Sequence, residues 1–189
     1  LVKIENNAVR IEAAREIILA AGTFGSAKLL MLSGIGPKNH LEQLGLTVHY
    51  DAPEVGANFH DHVGTPVIMR LRDPIGLFGH DRGMKALGHG IHYVLTRGGL
   101  LASNHFEGGA CVDTDGDGRA DVQINFSPFA TSKPGQPPLD FHAVQLNPMT
   151  MRPKSRGRLT LTSRDPAAEP RLTTRMLEDP EDMDTLRRG

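Results

Sequence analysis

Arg15-Glu16-Ile17-Ile18-Leu19-Ala20-Ala21-Gly22-Thr23-Phe24-Gly25-Ser26-Ala27-Lys28-Leu29-Leu30-Met31-Leu32-Ser33-Gly34-Ile35-Gly36 is the stretch on which the fold turns. Ile17 to Ala21 is a continuous apolar run, the pattern of a strand buried on both faces in a parallel sheet. A buried helix start fits the run too, but the glycine that follows favours a strand ending in a turn. Residues 26–33 then carry Ala27, Leu30 and Met31 at helical spacing, and Gly34-Ile35-Gly36 closes that helix. Pro37 opens a second, short helix, with Leu41 and Leu44 as its apolar side and Gly45 as its stop. Upstream, residues 1–12 read as a hairpin: two alternating runs flank Asn6-Asn7, and asparagine tolerates the positive φ of a tight turn. Downstream, Thr47 to Tyr50 reads as a short strand.

The texture changes near residue 64. Pro66 to Leu71, Phe106 to Val112 and Val122 to Phe126 read as strands, and His142 to Leu146 and Leu159 to Thr162 alternate as strands do. Residues 72–83 and the proline-bearing 131–138 read as loops, the latter holding Pro134, Pro137 and Pro138. Residues 84–96 read as a helix weakened by Gly88 and Gly90. Asp179 to Arg188 has a helix's full signals: an Asp cap, Pro180, early acids and late arginines. The reading is therefore α/β over residues 1–64 and α+β, an antiparallel sheet with a few helices, over residues 65–189.

Composition excludes more than it assigns. The 189 residues carry a formal net charge of −1, 39% hydrophobic and 5% aromatic residues, with no tryptophan. That leaves neither a basic face nor a base-stacking platform for nucleic acid. Cys111 is the sole cysteine, so an internal disulfide and a cysteine zinc site are both impossible. No apolar run reaches the roughly 20 residues a membrane helix needs. A reducing, cytoplasmic setting is the expectation; the oligomeric state is not legible. The chain opens on Leu1 in strand-like sequence and closes on Gly189 after helix-like sequence, which reads as an internal portion of a longer polypeptide.

Three motifs, in order, carry a family resemblance. Gly22 to Gly36, with Leu29-Leu30 and Ser33-Gly34-Ile35-Gly36 at fixed spacing, resembles the second signature of the glucose–methanol–choline (GMC) flavin oxidoreductases; Ala27 stands where Pro or Ser is usual. Val55-Gly56-Ala57-Asn58-Phe59-His60-Asp61-His62 is similar to the family's Val-Gly-x-Asn-Leu-x-Asp-His. Ser155-Arg156-Gly157-Arg158-Leu159-Thr160-Leu161-Thr162-Ser163-Arg164-Asp165-Pro166, then Asp179-Pro180-Glu181-Asp182, resembles its Ser-Arg-Gly strand and following helix. Gly98 to Glu107 resembles the choline-dehydrogenase-like branch, which would put Asn104 or Glu107 on the substrate side; a strand edge with an ordinary carboxylate is the alternative there. Asp121-Val122-Gln123 fits a further family segment.

The resemblance implies the tail of a Rossmann-like FAD-binding domain followed by part of a substrate domain, FAD as cofactor, and a small alcohol as substrate. It implies cofactor contacts at Ala20, Ala21, Gly22, Thr23, Ser26, Asn58, Asp61 and His62. Small residues let backbone approach the dinucleotide, and amides at a helix start suit an anion. The family's N-terminal Gly-x-Gly-x-x-Gly loop and its C-terminal catalytic histidine segment have no counterpart here, so no residue is assigned as catalytic, and residues 1–189 alone are not expected to catalyse or to hold FAD tightly. His105 and His142 are read as structural. A choline-like cation needs an aromatic cage, and Tyr50 and Tyr93 are the only tyrosines, which tilts the substrate towards another alcohol.

Rival readings are few. Asp113-Thr114-Asp115-Gly116-Asp117-Gly118-Arg119-Ala120-Asp121 has acids at positions 1, 3, 5 and 9 of a calcium loop, but Ile124 stands at position 12 and no helices flank it. A calcium-binding or structural module is the alternative there, against a polar hairpin turn. His60 and His62 do not make a metal site. Without a Gly-x-Ser-x-Gly elbow, a serine hydrolase has no anchor in this sequence.

Overall fold

A computed structural model describes residues 2–4, 7–104, 106–133 and 135–189. The fold is mixed α/β. It divides into two compact units: residues 1–59 with 157–174, and residues 60–156 with 175–189. The sequence reading kept 65–189 together. In the structure the segment at 157–174 belongs with the first unit, a return that no local pattern announces.

In the first unit, β1 (Val2–Ile4) and β2 (Asn7–Val9) pair antiparallel, with Ile4 opposite Asn7. Of the expected Asn6-Asn7 turn, Asn6 lies outside the described residues and Asn7 opens β2. Residues 17–20 form no strand, against the expectation, and Ile17 and Ile18 are 76% and 79% exposed. A parallel strand exists only with a ladder neighbour, and none of the described strands pairs with this run. Helix α1 (Gly22–Leu32) starts four residues earlier than its apolar pattern suggests. Gly22, at φ +73°, makes the entry bend.

Beyond it, β3 (Ile35–Gly36) pairs parallel with β4 (Tyr50–Asp51), around the short α2 (Lys38–Gln43). The strand pair β9 (Arg158–Thr160) and β10 (Arg171–Thr173) completes the unit. Met31 of α1, Leu41 of α2, Leu159 of β9 and Leu161 form one buried cluster, against which Ala27, Leu44, Leu46 and Val55 pack. All three family motifs therefore contribute to a single core. His40 adds a polar tie: its Nε2 accepts from the Leu161 amide at 3.1 Å.

The second unit is built on a four-stranded antiparallel sheet in the order β5 (Val67–Arg70), β8 (Ala143–Thr150), β7 (Val122–Ser127), β6 (Gly108–Val112). Strand β8 runs four residues past its expected end, because Asn147 and Pro148 continue the ladder opposite Asn125 and Ile124. The central strands are the buried ones: Val122, Ser127, Ala143 and Thr150 are all at most 2% exposed. Helix α3 (Gly83–Thr96) runs unbroken through Gly88 and Gly90. Residues 72–83 hold no strand, and 131–138 holds only a bridge between Thr131 and Pro138; Pro134 lies outside the described residues.

Helix α4 (Pro180–Arg188) is capped by Asp179, whose carboxylate accepts from the Glu181 amide at 3.0 Å. Asp182 anchors that helix to the end of β8's connection. Its carboxylate, 3% exposed, accepts from the amides of Lys154 at 2.6 Å and Ser155 at 2.8 Å. Among the described residues, no helix is long and apolar enough to cross a membrane.

Candidate functional site

The residues singled out in the sequence fall into two places. Ala20, Ala21, Gly22, Thr23, Ser26 and Asn58 belong to the first unit; Asp61 and His62 belong to the second. At the head of α1, Ala21 is the N-cap residue and makes no side-chain cap, and the first turn contains no acid. The Ser26 hydroxyl instead accepts from the Ala21 amide at 3.2 Å, tying the entry bend to the helix. Ala21, Gly22 and Thr23 are exposed, and a Cβ built on Gly22 would meet nothing within 4 Å. An adenine dinucleotide asks for two things here: close approach of backbone, and uncapped helix amides near its anionic part. The residues present fit both requirements.

Asn58 is brought towards α1 by its neighbour. Phe59 lies against Phe24, ring centroids 5.8 Å apart. The segment is pinned from the other side by the third motif. Gly157 and Phe59 exchange backbone hydrogen bonds of 2.6 and 3.1 Å, and the Leu159 amide donates to the Gly56 carbonyl at 2.7 Å. Asn58 takes a left-handed φ of +58°, and its Nδ2 donates to Glu54 at 2.8 Å. The second and third motifs, nearly a hundred residues apart, are thus joined by backbone hydrogen bonds, and a Cβ on Gly56 would strike the Leu159 carbonyl. Asp61 and His62 are exposed, and the Asp61 carboxylate accepts from the His62 amide at 2.8 Å.

The second unit holds a cavity of about 540 Å³. Asn104 and Glu107 are among its lining residues. Phe78, His80, His89 and Leu139 line it as well and were not foreseen, since four separate segments close around it. No local signal marks such a place. Four leucines and three phenylalanines line it together with polar and charged groups, among them Asp81, Arg82 and Glu107. His80 and His89 stack with centroids 5.2 Å apart, and one ring nitrogen donates to the other across 3.0 Å. Burial first, then Lys85, His89 and His142, hold His80 below its ordinary value. Glu107 accepts from the Ser103 hydroxyl at 2.8 Å.

His142 is engaged in the fold: Nδ1 donates to the Gly76 carbonyl at 3.0 Å, and its ring meets Phe78 edge-on. His105 lies outside the described residues. In the 113–121 loop, the carboxylates of Asp113, Asp115 and Asp117 converge within 4.8 Å and are exposed. Those oxygens already serve the turn. Asp113 accepts from the amides of Gly116 and Gly118, Asp115 from Asp117, and Asp117 from Arg119. Asp121 is buried and bonded to Thr114, with Arg188 3.8 Å away. A polar hairpin between β6 and β7 accounts for all of these bonds.

Comparison with known proteins places these features in one lineage. Two models described as GMC oxidoreductase match residues 2–64 and residues 153–189. An oxygen-dependent choline dehydrogenase of Rhizobium etli is 39% identical over 178 residues, which cover 94% of this chain and 32% of that protein. One from Paraburkholderia phytofirmans is 34% identical, covering 97% and 33%. Among solved structures, formate oxidase of Aspergillus oryzae RIB40, examined for FAD modification, superposes with a TM-score of 0.80 at 26% identity, covering 93% of this chain and 36% of the other. A fungal aryl-alcohol oxidase shares the fold alone, with a TM-score of 0.76 at 19% identity, covering 97% and 38%. The chain spans about a third of the length of the curated relatives it matches.

Proposed function

Because the chain belongs to the GMC oxidoreductase superfamily, on its choline-dehydrogenase-like branch, we propose that it is part of an FAD-dependent oxidoreductase that oxidises a small alcohol. The observation that carries this reading is the head of α1: an uncapped, acid-free helix start behind small exposed residues. Bound there, FAD would supply the hydride acceptor, chemistry that no side chain provides. Ala20, Ala21, Gly22 and Thr23 would lie with their backbone along the dinucleotide, Ser26 would hold the bend, and Asn58 would hydrogen-bond the cofactor. Asp61 and His62 are proposed as cofactor contacts on the family motif alone. The cavity would orient the alcohol and keep water from it.

No histidine of this chain is assigned as the proton acceptor, and turnover by residues 1–189 in isolation is not part of the reading. The test uses the full-length protein. Thr23→Glu places an acid in the first turn of α1, where the helix dipole favours it. It is expected to leave stability unchanged or raised, yet to weaken FAD binding about tenfold, since a carboxylate there opposes the cofactor's phosphates. FAD fluorescence titration measures this. Unchanged FAD affinity in that variant removes α1 from the cofactor site; a full-length protein that takes up no FAD sinks the function itself.

A further inference from the structure

We infer that His80 and His89 form a proton-operated latch that holds helix α3 against the 77–82 segment, closed while either ring is neutral and released when both are protonated. The geometry is that of a shared proton. His80 Nδ1 and His89 Nε2 stand 3.0 Å apart, with the rings inclined by 23°. Such a line holds one N–H and one lone pair. Two neutral rings supply these, and so do one neutral ring and one imidazolium. Two imidazoliums cannot: hydrogen then faces hydrogen, and two like charges meet on a half-buried wall. The inference concerns that wall whatever the cavity holds, so it stands apart from the alcohol-oxidising reading.

The surrounding charges set how readily the second proton enters. Burial, then Lys85 and His89 of α3 and His142 just before β8, disfavour the charged form of His80. Of the other charged groups that line the cavity, Asp81 pairs with Arg82 at 3.1 Å, and Glu107, which accepts from the Ser103 hydroxyl at 2.8 Å, keeps its negative charge. A carboxylate eases the second proton in, but it cannot restore the N–H···N bond which that proton removes.

What release frees is α3. None of its side chains is buried, and its Leu87, Ile91 and Val94 are exposed. The 77–82 segment is anchored elsewhere: the Leu77 amide donates to the Pro128 carbonyl at 3.5 Å, and the neighbouring Gly76 carbonyl accepts from His142 at 3.0 Å. Gly83, at φ +59°, and Gly99, at φ +79°, flank α3 and let the backbone turn at both ends. Both rings line the cavity, so displacing α3 opens its wall. Apart, each ring binds its own proton; together they hold one fewer. The closed form is therefore favoured at high pH and is lost as pH falls below the ordinary 6.5 of histidine.

The test is hydrogen–deuterium exchange, read by mass spectrometry on the full-length protein at about pH 7.5 and about pH 5.5, with each rate divided by the intrinsic rate at that pH. Protection across residues 84–96 is expected to fall at least about fivefold at the lower pH, while that of β7 and β8 holds. His89→Gln keeps an amide that accepts from a protonated His80 or donates to a neutral one, and it takes up no charge. In that variant α3 should be equally protected at both pH values. His80→Ala removes the latch, and α3 should show the low protection at both. The inference is overturned by parent α3 as protected at the lower pH as at the higher, by a fall that persists undiminished in His89→Gln, or by His80→Ala protected like the parent at the higher pH. The β7 and β8 amides report whether each variant has folded, and the comparison within the parent stands without either of them.

Discussion

Gly56 stands at φ +81°, and a Cβ added to it would strike the carbonyl oxygen of Leu159. That carbonyl belongs to β9, whose Leu159 amide returns a hydrogen bond to Gly56, so neither segment can retreat without losing the pairing. Gly56→Ala is expected to cost about 2–3 kcal/mol, more than the ~1 kcal/mol of an ordinary strained glycine site, and to show as a lower urea midpoint. Asp182 makes a second prediction at this scale. Burial pushes its carboxyl up, but bonds from Ser155 and from the Lys154 and Ser155 amides outweigh that and hold it below its ordinary 3.8. The folded state therefore binds fewer protons than the unfolded chain between the two values, and stability rises with pH there. The contribution is complete above about pH 5 and is lost as pH falls through the folded value. Asp182→Asn removes the charge and turns one acceptor into a donor facing an amide, for about 2 kcal/mol at neutral pH. Its acid unfolding curve should be flatter than the parent's below pH 4 or so; an equally steep curve would assign the acid sensitivity elsewhere.

At the scale of elements, α3 shows how a propensity can be overruled. Gly88 and Gly90 argue against a helix, yet it forms across 83–96, and a Cβ at either glycine would meet nothing within 4 Å. Gly88→Ala and Gly90→Ala should each stabilise the protein by about 0.5–1 kcal/mol, since the penalty they remove is unfolded-state entropy and no contact opposes the methyl. Thermal unfolding of the single and double variants checks the sign; destabilisation would mean those faces are covered. The elements most legible in the sequence were those with local chemistry: α4 with its Asp179 cap, and the alternating β7 and β8. Strands β3, β4 and β10 were harder, being two or three residues long and defined by partners distant in sequence. The candidate site divides the same way. The small-residue head of α1 announces itself, because a glycine turn before an apolar helix is a local pattern. Phe78, His80 and His89 do not, because a cavity closed by four segments has no signature in any one of them.

At the scale of the whole molecule, the unresolved tension is between pattern and burial at residues 17–19. Ile17-Ile18-Leu19 has the composition of a strand buried in a parallel sheet, yet the residues are 76%, 79% and 42% exposed and pair with no described strand. The same molecule exposes Leu87, Ile91 and Val94 along α3 and the whole of β5. Apolar surface of that kind, with a flat unpaired run, promotes association. At Ile18, 79% exposed, a charge removes little that folding gains and breaks the sticky window. Ile18→Lys is then expected to shift stability by less than about 0.5 kcal/mol while raising the soluble, monodisperse fraction of residues 1–189. The full-length protein gives the opposite test. There, if the run completes a parallel sheet as its composition reads, the same lysine would be buried between strands and should cost about 3 kcal/mol or more and lower FAD retention with it. Urea midpoints measured on both lengths decide the matter: a small effect in the short chain and a large one in the long chain means the apolar run is a strand awaiting its neighbours, whereas a small effect in both means the pattern at 17–19 never was one.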